Sequence, residues 1–201
     1  MRHAPTAATR ASAFPVNEPL DERGAAAAAL LGAALAPNCE VFTSPALRCR
    51  QTTEAAGLPA PAVEPALAEC DFGAWAGRRL ADVDEAEALV WMTDPEARPH
   101  GGESLAAFAA RVSGWLDGQA QLDGRAVAVT HGGVIKAAVV HALGAPLAAF
   151  WRIDAAPLAI TELHAHDRRW TVTRVNCAAP APRHAGSTRH ERSPAAEAAP
   201  S

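Results

Sequence analysis

The chain is expected to be an α/β layer protein with a mostly parallel sheet. Segments with helical spacing alternate with short apolar runs along its 201 residues, the order of a layered α/β fold. Residues 126–130 are apolar up to Thr130, as suits a parallel strand covered on both faces. That run passes directly into His131-Gly132-Gly133 and a further helical segment, the strand–turn–helix order at whose edge such sheets bind ligands.

The elements follow in order. After Arg2-His3, residues 7–19 have no period and read as a loop. Leu20 and Asp21 have the form of a staple and N-cap for a helix to about residue 35, with Pro37 just beyond it. Residues 39–43 read as a short strand. Ser44-Pro45 opens a second helix, serine at N-cap and proline at N1, which Gly57 stops. Residues 59–65 are irregular, with a short strand near Val63. Residues 67–77 form a compact loop around Phe72, Gly73, Trp75 and Gly77. A helix is expected over 80–91, then a Pro- and Gly-rich loop over 93–102. From Ser104, the residues Leu105, Phe108, Val112, Trp115 and Leu116 share one helical face. A helix from Val134 to Leu143 closes at Gly144. Residues 157–164 and 170–175 read as antiparallel strands turning at Asp167-Arg168. One domain over 1–177 is expected. Residues 178–201, rich in Ala, Pro, Ser, Arg and His without period, read as a disordered tail.

A chain of this length buries a sizeable core in one domain. The formal net charge of -4 argues against a general nucleic-acid binder. Lys136 is the only lysine. Cys39, Cys49, Cys70 and Cys177 form no CxxC pair or metal-finger spacing and read as reduced thiols of a cytoplasmic protein. Apolar runs fall short of the roughly 20 residues that span a bilayer, so no membrane association is expected. The acid-free start faintly resembles a presequence, but it fits a site motif better. The sequence carries no signal for an oligomeric state.

Four stretches carry chemistry. Thr130-His131-Gly132-Gly133 opens a helix, where backbone N–H groups and the helix dipole favour an anion. Arg2-His3 offers a cation beside an imidazole able to attack phosphorus. Arg48 falls in the first turn of a helix, where a cation is unfavourable unless an anion neutralises it. It is therefore a better ligand candidate than Arg50. Glu69 lies in a loop with Phe72 and Trp75, where shielding would keep a carboxyl protonated for general-acid work; Asp71 competes for that role. His164 and His166 alternate on a strand and lack a third metal ligand.

In this order, Arg-His, Ser-Pro-x-x-Arg with Gln-Thr, Glu-x-x-Phe-Gly-x-Trp-x-Gly, Gly-Gly-Glu-Ser and Thr-His-Gly-Gly resemble the histidine phosphatase superfamily. The resemblance spans residues 2–176. It implies a three-layer α/β/α sandwich of the phosphoglycerate mutase-like kind. It also implies His3 as phosphorylated nucleophile, Glu69 as proton donor, and Arg2, Arg48 and His131 as the phosphate pocket, His131 also serving catalysis. Glu103 and Ser104 would lie near the substrate entrance. Arg-His-x-Pro-Thr and Glu-x-Asp-Phe-Gly-x-Trp look most like the branch that holds α-ribazole phosphatases of cobalamin synthesis.

Three departures accompany the resemblance. Only Met1 precedes Arg2, so the family's first strand is truncated and His3 is expected to be weakly anchored, or the strand begins upstream. Ala4 stands where many relatives have glycine. Residues 7–19 lack the Asn- and Gly-rich pattern of the mutases. The expected function is hydrolysis of a small phosphorylated metabolite through phosphohistidine, without cofactor or metal. The alternatives are a catalytically silent binding or regulatory module and a mutase-type phosphotransferase.

Overall fold

The computed structural model describes residues 1–31, 39–121 and 123–179. At its centre, β1 (Glu40–Thr43) lies between β2 (Ala62–Val63) and β3 (Ala126–Val129), all parallel. Phe42 is opposite Ala62 on one side and Ala128 on the other. Successive side chains of a strand leave opposite faces. Phe42 and Ala128 therefore meet one cluster, with Leu105, Phe108 and Val112 of α5 (Leu105–Gln119) and Val134, Ala137 and Val140 of α6 (Gly132–Ala142). Val127 and Val129 meet another, with Met1 and with Cys49 of α3 (Leu47–Ala55). The sheet is thus sandwiched between helix layers, as expected. A hairpin of β4 (Ile160–His166) and β5 (Arg169–Cys177) follows, turning through Asp167 and Arg168 at φ of 49° and 60°.

At the place of the expected first strand is one parallel bridge, Arg2 with Thr130. It is nevertheless held on both sides. Thr130 N donates to Met1 O (3.0 Å) and His3 N to Thr130 O (2.8 Å), while Arg2 N donates to Ala159 O and Leu158 N to Arg2 O (both 3.1 Å). The weak anchoring expected at His3 is not found, because the segment before β4 supplies a second neighbour.

Several local expectations are corrected. Residues 7–19 begin with a single helical turn, α1 (Ala7–Arg10), because Thr6 and Thr9 cap each other reciprocally. Asp21 does cap α2 (Glu22–Ala29), accepting from Gly24 N at 2.8 Å. That helix ends earlier than expected, and residues 32–38 lie outside the described residues. α3 starts at Leu47 behind Ala46, without a side-chain cap, since Ser44 Oγ is engaged by His131. It stops as expected at Gly57, whose φ of 63° suits a residue without Cβ. The helix expected over 80–91 divides into a 3₁₀ turn (Leu80–Asp82) and α4 (Glu85–Thr93). Asp84 accepts from Ala86 N and Glu87 N there, so the cap decides the start rather than the apolar pattern. β3 is not covered throughout: Ala126 is exposed, and burial is complete only at Val129. Most of the expected tail, residues 180–201, also falls outside the described residues.

Phe108 is fully buried, stacks edge-on with Phe150, and supports the α5–α6 contact beneath the strand ends. Phe108→Ala should lower unfolding free energy by about 3–5 kcal/mol, read by urea denaturation with an unchanged m-value.

Candidate active site

The residues singled out from the sequence gather at the C-terminal ends of the parallel strands. Ser44 follows β1, His131 follows β3, and His3 ends the bridge beside it. Thr130 Oγ1 donates to Leu67 O at 2.7 Å, tying β3 to the turn that delivers Glu69.

Arg48, only 3% exposed, sits between two imidazoles. Its Nε donates to His3 Nε2 (3.3 Å), its Nη2 to His131 Nδ1 (3.1 Å) and its Nη1 to Val16 O (2.7 Å). Glu18 Oε2 lies 3.6 Å from Nη1. A guanidinium only donates, so both imidazole atoms it faces carry lone pairs. The tautomers follow. His3 Nδ1 bears the proton and donates to Ala4 O (2.7 Å); His131 Nε2 bears its proton and donates to Ser44 Oγ (2.7 Å). Burial is the main force holding both rings neutral. It pulls His3 down to about 3, with Arg48 and Arg2 adding repulsion, and pulls His131 well below its ordinary value. Thr52 Oγ1 accepts from Ala4 N (3.0 Å) and donates to Arg48 O (2.7 Å), linking the His3 loop to α3.

Glu69 rests against the start of α6. Its Oε2 accepts from Gly133 N (3.3 Å) and its Oε1 from Cys70 N (3.1 Å). Burial raises its pKa, against the pull of these two amides, Arg48 and Arg2. Gly133 has no Cβ for a reason: a methyl there would overlap the Glu69 carboxylate. Arg2 packs over Gly132 and donates from Nη1 to Ala155 O at 2.6 Å, while its buried Nε has no partner. A cavity of about 240 Å³ opens here, lined by Arg2, Glu69, Gly132, Gly133 and Lys136, with an aromatic wall that includes Phe72 and Trp151. His3, Arg48 and His131 lie behind that lining, each almost fully buried.

Other expected residues fall elsewhere. Asp71 is exposed and accepts from Gly73 N at 2.9 Å, so Glu69 alone of the pair faces the cavity. Trp75 is buried against Phe14 and His100 and does not shield Glu69; Phe72 lines the cavity with it. Glu103 and Ser104 do not line the cavity. Glu103 pairs with Arg111 through both oxygens (3.0 and 2.8 Å), and Ser104 caps α5. Arg111 also donates to Ala66 O and Ala68 O, which stiffens the approach to Glu69. Arg50 and His164 are exposed. Glu18, Asp154 and Lys136 were not marked as site residues by any motif. Only the singularity of the lysine distinguished one of them.

Fold and site together describe an α/β protein with cationic and imidazole side chains gathered at its strand ends. The chain belongs to the histidine phosphatase superfamily: the model of its branch 1 matches residues 1–178. Such membership supports phosphatase-type activity. TTHB049 of Thermus thermophilus is 33% identical, with a TM-score of 0.70, covering 89% of this chain and 96% of that one. The open reading frame Rv3214 of Mycobacterium tuberculosis is 25% identical (TM-score 0.76, 89% and 96% covered). A candidate alpha-ribazole-5'-P phosphatase of Escherichia coli K-12 is 24% identical (TM-score 0.77, 89% and 95% covered) and speaks for the fold alone. A search of curated proteins finds no match. Among the described residues no helix is long and apolar enough to cross a membrane.

Two outcomes follow from this geometry. In Gly133→Ala the helix former improves by up to about 1 kcal/mol, so stability should hold or rise while the Glu69 carboxyl is expelled. A crystal structure of the variant should find Glu69 rotated off the amide of residue 133. The second outcome concerns acid. Between its folded value of about 3 and its ordinary value of 6.5, His3 binds a proton when unfolded and none when native. Stability therefore rises with pH across that window and falls on acidification, by about 1.4 kcal/mol per pH unit for a fully neutral native ring. Denaturation curves at pH 4–7 should be less pH-dependent in His3→Gln than in wild type.

Proposed function

We propose that the protein is a metal-independent phosphatase acting on a small phosphomonoester through a phosphohistidine intermediate. The observation that carries this reading is the His3 tautomer. The Ala4 carbonyl fixes the proton on Nδ1, so Nε2 presents a lone pair at neutral pH. That lone pair now accepts from Arg48 Nε. A phosphoryl oxygen is the stronger acceptor for a guanidinium, so an entering phosphate takes over the Arg48 donors and frees both imidazoles.

In the proposed reaction His3 Nε2 forms the N–P bond as the ester P–O bond breaks in line. Glu69, whose raised pKa keeps a proton at hand, delivers it to the leaving oxygen. Arg2, Arg48 and His131 hold the equatorial oxygens, where charge gathers; His131 does so with its proton moved from Nε2 to Nδ1, Ser44 Oγ then donating to Nε2. Water then gives a proton to the Glu69 carboxylate and attacks phosphorus. The N–P bond breaks, inorganic phosphate leaves, and His3 and Glu69 recover their starting states. The atoms balance with the side chains alone.

A narrower reading, α-ribazole 5'-phosphate as substrate, is supported by the Arg-His-x-Pro-Thr and Glu-x-Asp-Phe-Gly-x-Trp patterns. It is tested by comparing that ester with a generic one. A silent binding module and a primer-dependent mutase are the alternatives the test must exclude.

With 4-nitrophenyl phosphate, His3→Ala should lose at least about a thousandfold in kcat, and quenching wild type in alkaline denaturant, where the N–P bond survives, should trap phosphate on His3. Background turnover in both proteins would make this a binding module. Phosphate release requiring a bisphosphorylated primer would make it a mutase. Glu69→Gln should slow alkyl esters far more than nitrophenyl esters, whose leaving group needs no proton. With alkyl esters, wild-type kcat/KM should decline as pH rises through the raised Glu69 value, because the acid form is the competent one.

A further inference from the structure

Lys136 stands three residues beyond Gly133 and four beyond Gly132 on α6, so the three share a helical face. All three line the cavity with Arg2 and Glu69. The ammonium lies 4.3 Å from the Phe150 ring centroid and 5.4 Å from that of Trp151. Among the described residues it forms no ion pair and no hydrogen bond. Burial lowers its pKa, while Glu69 and Asp154 act in the opposite sense.

The other charged groups in the cavity have partners of their own. Asp154 Oδ1 accepts from Ala155 N (2.8 Å) and Oδ2 from Asn176 Nδ2 (3.4 Å). Arg2 is turned to Ala155 O. Glu69 is held by two amides, and burial raises its pKa. The ammonium therefore has aromatic faces beside it, and Glu69 and Asp154 act on it through space without a hydrogen bond or ion pair among the described residues. A cation–π contact holds an ammonium without supplying an oxygen acceptor, and an anion can supply the charge-assisted hydrogen bond.

We infer that Lys136 docks a second anionic group, a carboxylate or a second phosphate, carried by the leaving half of the substrate. The assignment assumes the phosphatase reading. Glu69 meets the ester oxygen at Gly133, and Lys136 lies about one helical turn, roughly 5 Å, farther along the same wall. The second charge then belongs three or four atoms from the ester oxygen. An α-ribazole leaving group has no negative charge, so the two substrate readings separate.

The test compares butyl phosphate, 4-phosphooxybutanoate and ethane-1,2-diol bisphosphate, whose leaving oxygens are similar. Wild type should favour at least one anionic ester over butyl phosphate by about tenfold or more in kcat/KM, near 1.4 kcal/mol. Which of the two wins identifies carboxylate or phosphate. In Lys136→Gln that ratio should approach one, and Lys136→Arg should retain a preference. Both rates come from one preparation, so a ratio does not depend on how much of the variant is folded. A wild-type ratio near one, or a ratio unchanged in Lys136→Gln, overturns the assignment. If wild type hydrolyses none of the esters, the phosphatase reading fails separately. Calorimetric titration of the same esters then decides the anion site: the same preference in Kd upholds it, and equal Kd values overturn it.

Discussion

A guanidinium buried to 3% exposure between two imidazoles leaves few arrangements open around it. A charge removed from water needs its donors bonded. Arg48 meets that need with Val16 O, His3 Nε2 and His131 Nδ1, and with the nearby Glu18 carboxylate. Each acceptor then constrains its own surroundings. His3 must carry its proton on Nδ1, so Ala4 O must face it. His131 must carry its proton on Nε2, so Ser44 is drawn from capping α3 to receive it. Val16 and Glu18 fix the otherwise irregular segment after α1. One cation thus links the first strand remnant, β1, α3 and the β3–α6 turn.

The same constraint explains how one bridge can stand in for a strand. Residues 1–3 form a single bridge with β3, yet backbone hydrogen bonds reach them from Thr130 and from Leu158 and Ala159. The Ala4 N to Thr52 Oγ1 bond adds a third direction, from α3. The His3 ring is fixed by the closure of three separate chain segments around it. Length of strand is one route to rigidity at a strand end; convergence of neighbours is another.

Legibility in the sequence followed the range of the interaction. His131 was readable because its strand, its turn and its helix are contiguous. Arg48 was readable because a cation in a first helical turn is locally unfavourable, so its location implied an anion. Glu69 was readable from the aromatic and glycine residues around it, although Phe72 and not Trp75 shares its cavity. The Ser44 assignment failed because the competing partner lies 87 residues away. Glu18 and Thr52 were passed over for the same reason: their significance comes from Arg48 and Ala4, not from their neighbours in sequence. Misjudged boundaries at α1 and α4 had local causes. At α1 a reciprocal threonine cap formed a turn where the sequence has no period, and at α4 the Asp84 cap outweighed the apolar period.

The two sides of the site differ in how their charges are satisfied. Behind the cavity, Arg48 is bonded to neutral rings that give way to a better acceptor. On the cavity wall, Glu69 is poised as an acid by burial, and two amides steady it without reversing that shift. A neutral acid subtracts no positive charge from its surroundings. With Glu69 protonated, Arg2 and Lys136 face the cavity against Asp154 alone. The phosphoryl group engages Arg2 from one side, and Lys136 is left as a cation on an aromatic wall. In the proposed reaction, a proton held by Glu69 for the leaving oxygen also keeps the neighbouring ammonium from being neutralised from within the protein. Were Glu69 an ordinary carboxylate, it would offer Lys136 an internal partner and remove the acid together with the unfilled positive charge. Acid and cation are two results of the same burial.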